Sequence, residues 1–198
     1  MKKMILVTSP PASGKTYVSR KLADALSHVV YLDKDTLIPL SKQIFAVANQ
    51  PYNRSSAFFN TYIRDYEYET IVALALEALD YDDIVLINAP FSREIRDMDY
   101  IRGLKTKLAA KNASLVVVWV QTDIEVCHQR MIERDSPRDT WKLAHWDEFV
   151  AMSNFDIPTA LDDPAVKDDL IIFKNSDEAE FTESMKRTVS LLEETTRD

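Results

Sequence analysis

The chain of 198 residues is long enough to bury one sizeable core and too short for two ordinary domains, so we expect a single domain over residues 1–198. Its net charge of −8 argues against a nucleic-acid partner, because neutralising a phosphate backbone requires clustered lysine and arginine. No apolar stretch approaches the roughly 20 residues that span a membrane, and the single cysteine, Cys127, has no intramolecular disulfide partner, so a cytoplasmic protein is expected.

Five short apolar runs are predicted to be buried strands. They are Met4–Thr8, Val29–Leu32, Ile84–Asn88, Leu115–Val120 and Leu170–Phe173. Segments with helical spacing lie between or after them, including Lys15–Ser27 and Asp177–Leu192. Because parallel strands need crossover connections, this alternation predicts a three-layer α/β fold with helices on both faces of the sheet. The acidic stretch Asp156–Asp169 is predicted to be a surface connection.

The loop after the first strand carries a phosphate-binding motif. Its sequence is Ser9-Pro10-Pro11-Ala12-Ser13-Gly14-Lys15-Thr16, which has Walker A spacing and lies between a strand and a helix. Lys15 is expected to contact the β- and γ-phosphates of ATP, and the Thr16 hydroxyl to coordinate Mg²⁺. Ser9 stands in the first glycine position, and the two prolines remove N–H donors from the start of the loop. The predicted nucleotide-binding residues here are Ser9, Pro10, Pro11, Ala12, Ser13, Gly14, Lys15, Thr16 and Tyr17.

Two carboxylates follow the second strand, at the edge of the sheet where open α/β proteins bind ligands. Asp35 is the candidate base that would orient a hydroxyl acceptor and take its proton, and Asp33 is the alternative. Asp35 could instead cap the helix that begins near Thr36. Asp33 could also cap that helix, or position Mg²⁺ through water.

The segment after the fourth strand is predicted to form a lid over residues 130–142. Thr122-Asp123-Ile124-Glu125 has the spacing of a capping box, so a helix is expected to begin there. Arg134 and Arg138 are the candidates to neutralise charge on a transferring phosphoryl group, because arginine donates several hydrogen bonds in one plane. The alternative is a solvent-exposed helix with local charge pairs.

Two further places could hold an acceptor. The segment Asn49–Asp65 mixes aromatic and polar side chains, although packing of its aromatic residues against the sheet is the favoured interpretation. Arg93, beyond the third strand, is at the same sheet edge and could bind an anionic acceptor or a phosphate, unless it is simply solvated.

With the phosphate loop, the Asp35-Thr36-Leu37 turn and the arginine-rich lid in this order, the chain resembles the P-loop small-molecule kinases. Within these AAA-type ATP-binding proteins it is most similar to the chloramphenicol phosphotransferase, zeta-toxin and gluconate kinase group. The resemblance implies a five-stranded parallel sheet in the order 2-3-1-4-5. It also implies that Asp35 activates the acceptor, that Arg130 packs near adenine, and that Asn175 borders the base. Asn88 departs from the aspartate that many P-loop proteins use for Mg²⁺.

The sequence thus predicts a phosphotransferase that moves the γ-phosphate of ATP to a hydroxyl of a small molecule. A nucleoside or nucleotide kinase is an alternative that the lid equally allows. A third hypothesis is a non-catalytic nucleotide-binding regulatory module, in which Asp35 caps a helix and the arginines contact a partner.

Overall fold

The computed structural model describes residues 2–136, 139–153, 155–163 and 169–194. Its centre is a parallel sheet of five strands in the order 2-3-1-4-5. The strands are β1 Lys2–Thr8, β2 Val29–Asp33, β3 Ile84–Asn88, β4 Ala113–Gln121 and β5 Leu170–Lys174. The five predicted strands and the implied strand order are therefore confirmed, with small extensions at the strand ends.

Helices cover both faces of the sheet. They are α1 Lys15–Ala25, α2 Ile38–Val47, α3 Ala57–Tyr62, α4 Arg64–Ala78, α5 Met98–Ala109, α6 Ile124–Arg134, α7 Thr140–Ala144, α8 Trp146–Met152 and α9 Glu178–Glu194. Short 3₁₀ turns lie at Lys34–Leu37, Glu94–Arg96 and Thr159–Asp162. The predicted first and last helices correspond to α1 and α9, each with slightly different ends.

The central strand β1 is buried on both faces. Its alternate residues point to opposite sides, as in any strand. Met4 and Leu6 pack with α4 and α5, whereas Ile5 and Val7 pack with α1 and α9. Because β1 is enclosed in this way, the loop that follows it begins from one of the most firmly packed points of the molecule.

The stretch Asp156–Asp169 is more than the surface connection that its composition predicts. Leu161 is fully buried and joins the core on the α4–α5 side, and Pro158 is buried as well. Ile157 packs against the same core, but two apolar side chains among acidic and small residues are too few for a periodic signal, which is why the sequence pattern missed these contacts. Residues 164–168 lie outside the described residues.

In the described ranges, no helix combines the length and the apolar character that crossing a membrane requires.

Candidate active site

The loop between β1 and α1 has a backbone that favours glycine at one position. Gly14 has φ +83° and Ala12 has φ +62°, both in the left-handed region. A Cβ atom on Gly14 would lie 2.5 Å from Nδ2 of Asn175, so a side chain there would displace that amide. The loop opens α1, whose first N–H groups and positive dipole end favour a bound anion.

The carbonyl oxygen of Ser13 is held by two side chains from distant parts of the chain. It accepts hydrogen bonds from Nδ2 of Asn175 at 2.7 Å and from Oγ1 of Thr122 at 3.0 Å. Thr122 follows β4 and Asn175 follows β5, so the ends of two strands fix the phosphate loop. The side-chain amide of Asn175, which was predicted to border the base, donates its hydrogen bond to the loop backbone.

The capping box predicted from Thr122 is wrong, although the helix does begin where expected. The residue that precedes α6 is Asp123, and its side chain makes no capping hydrogen bond. The hydroxyl of Thr122 donates to the Ser13 carbonyl instead. A long-range contact thus replaces the local one that the sequence spacing suggested.

Lys15 lies at the centre of the site. Its Nζ donates to Oδ1 of Asn88 at 2.5 Å. Desolvation lowers the pKa of Lys15 to about 8; the charges of Asp33 and Asp35 oppose this shift, and Lys34 adds to it. Because this ammonium group has lost much of its hydration, a bound phosphate would strongly stabilise its charged form.

Asn88 also links the groups that would hold a metal. Its Nδ2 lies 2.9 Å from Oδ2 of Asp33 and 3.3 Å from Oγ1 of Thr16, so the predicted metal residues lie on either side of one amide. Hydroxyl and carboxylate oxygens are the ligands that Mg²⁺ prefers. Among the described residues no group of three or more His, Cys, Asp or Glu side chains could hold a metal. The Thr16 hydroxyl and the Asp33 carboxylate fit Mg²⁺ with phosphate and water as its other ligands.

The two candidate bases have different surroundings. Asp33 caps the 3₁₀ turn by accepting from the Asp35 N–H at 3.0 Å, and it also accepts from the Tyr31 hydroxyl at 3.2 Å. Of the two residues that could have formed this cap, Asp33 forms it. The Asp35 side chain is 63% exposed, lies 3.6 Å from Nζ of Lys34 and lines the same cavity as the phosphate loop. Asp35 is the more available of the two carboxylates.

That cavity has a volume of about 900 Å³. Besides residues 9–17 it is lined by Asp35, Pro90, Ser92, Arg96, Trp119, Arg130, Arg134, Lys142, Met152 and Ser153. Five of the lining residues are cations, namely Lys15, Arg96, Arg130, Arg134 and Lys142, and Asp35 is the one carboxylate among the described lining residues. A chain with a net charge of −8 thus has a positive cavity at its phosphate loop.

The predicted lid is held by a buried carboxylate. Asp139 accepts from Nε of Arg134 at 2.8 Å and from Nζ of Lys142 at 3.0 Å. Burial alone would raise the pKa of Asp139, but these hydrogen bonds outweigh it and the pKa is lowered. Arg130 donates to the carbonyl oxygen of Asn175 at 2.8 Å. Arg138, the other predicted lid arginine, lies outside the described residues.

The segment before α4 is mainly structural, as its aromatic residues suggested. Phe59 packs with Phe45, and Arg54 donates two hydrogen bonds to Glu67 at 2.7 and 2.6 Å. Arg93 donates to Oδ1 of Asn60 and lines a separate cavity of about 570 Å³ between α4 and α5. The role suggested for Arg93 at the sheet edge is therefore not supported by its position.

Sequence reasoning missed seven residues that line the cavity at the phosphate loop, among them Arg96, Trp119 and Lys142. Trp119 lies inside an apolar strand, so the pattern predicted only packing for it. Arg96 lies three positions after Arg93 and Lys142 lies within the predicted lid, so the chain offered a weak signal for both.

Comparisons with known proteins agree with this geometry. Residues 4–154 match the AAA domain family. Curated proteins give no significant match.

Similar solved structures include three kinases. A sugar kinase from Janibacter sp. HTCC2649 has a TM-score of 0.58 at 14% identity, with 98% of this chain and 95% of that chain covered. Shikimate kinase from Bacteroides thetaiotaomicron has a TM-score of 0.54 at 16% identity, with 97% of this chain and 98% of that chain covered. A gluconokinase from Sinorhizobium meliloti 1021 has a TM-score of 0.52 at 16% identity, with 99% of this chain and 98% of that chain covered. At these identities the likeness shows the fold. With its family match over residues 4–154, the chain belongs to the AAA domain family and has the P-loop kinase-like fold of these small-molecule kinases.

Proposed function

We propose that the protein transfers the γ-phosphate of ATP to a hydroxyl group of a small molecule. The observation that carries this proposal is that one cavity contains both the phosphate loop and the exposed carboxylate of Asp35. A nucleotide and an acceptor can therefore meet in one cavity. The three kinases of similar fold support the reaction class.

The residues divide into nucleotide-binding and reacting groups. The N–H groups of the loop and the Lys15 ammonium would bind the β- and γ-phosphates, and Thr16 and Asp33 would hold Mg²⁺ directly or through water. When bound, Mg²⁺ supplies neutralisation of the negative charge on the phosphates. Arg130 and Arg134 line the same cavity and can donate to phosphate oxygens.

In the proposed transfer, Asp35 is the general base. Its carboxylate would accept the proton of the acceptor hydroxyl while the hydroxyl oxygen forms a bond to the γ-phosphorus. The bond from that phosphorus to the bridging oxygen breaks, and ADP leaves with the electron pair. Asp33 is less suited to this role because three hydrogen bonds already occupy its carboxylate.

The test compares the wild type with Asp35→Asn and Asp33→Asn. Purified protein with Mg²⁺-ATP would be incubated with pools of hydroxyl-bearing metabolites, and mass spectrometry would detect phosphorylated products. Asp35→Asn should lower kcat by about 10²- to 10⁴-fold, the usual contribution of a general base. The thermal shift on adding Mg²⁺-ATP should stay unchanged in this variant, and Asp24→Asn on the exposed face of α1 is the matched control.

Two outcomes would contradict the proposal. If ATP stabilises the protein but no acceptor in any pool is phosphorylated, the non-catalytic binding module becomes the better interpretation. If an acceptor is phosphorylated equally well by Asp35→Asn, the protein is a kinase but Asp35 is not its base.

A further inference from the structure

Gly103 is a glycine that the packing of the chain does not require. The chain contains only two glycines, and Gly14 is explained by its left-handed backbone and by the Asn175 amide. Gly103 lies in the middle of α5, where glycine is less favourable than alanine. A Cβ atom at position 103 would have no atom of the described residues within 4 Å. The helix backbone is therefore uncovered at this position, and a ligand can lie directly against it.

This uncovered backbone lines the separate cavity between α4 and α5. The cavity volume of about 570 Å³ is within the range of small-molecule sites, about 300 to 1,000 Å³. Its apolar lining comes from both helices and consists of Val72, Ala73, Leu76 and Leu104. Among the described residues, none lines both this cavity and the cavity at the phosphate loop. A ligand bound here would therefore not compete with ATP for space.

Carboxylates outnumber cations in this lining. The described carboxylates are Asp65, Glu69, Glu94, Asp97 and Asp99, and the described cations are Arg64, Arg93 and Lys107. Arg64 and Glu94 neutralise each other, because the two terminal nitrogens of Arg64 donate to the two Glu94 oxygens at 2.8 and 3.1 Å. Arg102, outside the lining, offsets Asp99 from 3.8 Å. Three carboxylates then remain against two cations, so the cavity favours a positively charged ligand.

Glu69 and Tyr100 lie on opposite helices at the place where a cation would bind. Glu69 on α4 forms no ion pair with another described residue. Burial, together with the charges of Glu94 and Glu69, raises the pKa of Tyr100 to about 12, and Arg64 opposes this shift. In the described part of the chain the Tyr100 ring has no aromatic or cationic partner, whereas the Tyr68 ring is covered by Arg64 at 4.3 Å. The carboxylate of Glu69 and the face of Tyr100 are thus both available to an ammonium group.

We propose that the cavity between α4 and α5 is a second ligand site, which binds a small organic cation consisting of a primary ammonium group on an apolar or aromatic body. The ammonium group pairs with Glu69 beside the Tyr100 ring. The body lies against the uncovered backbone of Gly103 and the apolar side chains of the lining. This site goes beyond the proposed function, because binding there needs neither ATP nor phosphate transfer.

The two glycines make a direct test possible. The untagged chain labelled with ¹⁵N-glycine has two labelled backbone amides, one in the lining of each cavity. Titration with phenethylamine at neutral pH should shift the Gly103 signal, with a Kd of about 1 mM or lower, and leave the Gly14 signal in place. Saturation with Mg²⁺ and the β,γ-imido analogue of ATP should shift Gly14 and leave the affinity for the amine unchanged. Gly103→Ala, which lacks one signal, assigns the two.

Two further probes separate the charge from the apolar body. 2-Phenylethanol has the same body without the charge and should bind at least about threefold more weakly, the scale of a partly exposed ion pair. Ethylamine has the charge without the ring and should bind at least about tenfold more weakly, because it buries far less apolar surface.

Two variants and a control locate the site, with saturation-transfer NMR of phenethylamine as the common measurement. Glu69→Gln should weaken binding about threefold. Gly103→Leu fills the space against α5 and should weaken binding at least about tenfold. Leucine favours a helix more than glycine does, so this variant should melt no lower than the wild type. Ala109→Leu adds a leucine at an exposed position of α5 outside the lining, and should change nothing.

Each outcome decides the inference. It is overturned if phenethylamine leaves the Gly103 signal in place, if 2-phenylethanol binds as tightly as the amine, or if folded Gly103→Leu binds the amine like the wild type. Displacement of the amine by the ATP analogue, with a shift of Gly14, would place the amine at the phosphate loop and reject the second site. None of these results bears on phosphate transfer, which the acceptor pools and Asp35→Asn test separately.

Discussion

The ammonium group of Lys15 should make nucleotide affinity depend on pH. Its pKa is lowered to about 8 by desolvation, and bound phosphates would raise it because they stabilise the charged form. Binding therefore takes up a proton once the pH exceeds about 8, and affinity for Mg²⁺-ATP should fall by up to about tenfold per pH unit above that value. Calorimetric titration with the β,γ-imido analogue between about pH 7 and about pH 9.5 measures this dependence.

A matched variant isolates the Lys15 effect. Lys15→Arg keeps a positive charge at every pH in this range, because arginine does not deprotonate in proteins. We expect weaker binding that no longer varies with pH. A Lys15→Arg profile with the same slope as the wild type would assign the proton uptake to another group.

The hydroxyl of Thr122 is one of two donors to the Ser13 carbonyl, so its removal should disturb the phosphate loop. Thr122→Val keeps the shape and removes the donor, and should weaken binding of Mg²⁺-ATP by about fivefold, the scale of one neutral hydrogen bond. Thr122→Ser keeps the donor and should bind like the wild type. Equal affinities for the valine and serine variants would show that this hydrogen bond does not position the loop.

At the scale of elements, Glu67 on α4 joins three segments that lie next to the site. It accepts from Lys34 at 3.0 Å, from both terminal nitrogens of Arg54, and from the Ser41 hydroxyl on α2. Burial alone would raise the pKa of Glu67, but these hydrogen bonds lower it to about 2. Because Lys34 adjoins Asp35, this network also fixes the turn that carries the candidate base.

Glu67→Gln should therefore destabilise the fold in a pH-dependent way. Removing the charge of one partner in a buried ion pair lowers the free energy of unfolding by about 3 kcal/mol. Urea unfolding at neutral pH would measure this loss. A carboxylate with a lowered pKa stabilises the folded state above its unfolded value of 4.5, and this contribution is lost as the pH falls from there to about 2. The difference between wild type and variant should shrink over that window. Glu69→Gln, exposed on the same helix, should have little effect at either pH.

The sequence predicted elements better than it predicted the contacts between them. Strands and the Walker A loop depend on local pattern, so apolar runs and the spacing of Gly14 and Lys15 were enough. The role of Thr122 depended on Ser13, which is 109 positions away, and local spacing suggested a helix cap instead. Trp119 was read as core because an apolar strand does not reveal which of its residues reaches the end of the sheet.

At the scale of the whole molecule, the last helix, α9, covers the sheet face that carries α1. Leu192 on α9 is 1% exposed and packs in the same cluster as Val18 and Leu22 of α1. The Lys3 ammonium on β1 donates to the Leu192 carbonyl. The first strand and the last helix therefore stabilise each other.

Truncating this contact should lower global stability. Leu192→Ala is expected to reduce the free energy of unfolding by about 2–5 kcal/mol, because it leaves a cavity in the core. Leu191→Ala, at a neighbouring position that is 45% exposed, should cost no more than about 0.5 kcal/mol. Urea denaturation of both variants makes the comparison, and similar losses would show that α9 is not packed as described.

The two donors on the Ser13 carbonyl have a consequence for how the chain can vary. Asn175 lies beyond residue 154, where the family match ends, and is separated by 162 positions from the loop that it holds. A side chain at position 14 would displace the same amide. Any residue at position 13 supplies the same backbone carbonyl, so we expect residues 14, 122 and 175 to evolve as one coupled set, in which a substitution after β5 is accompanied by a change in the loop near the start of the chain.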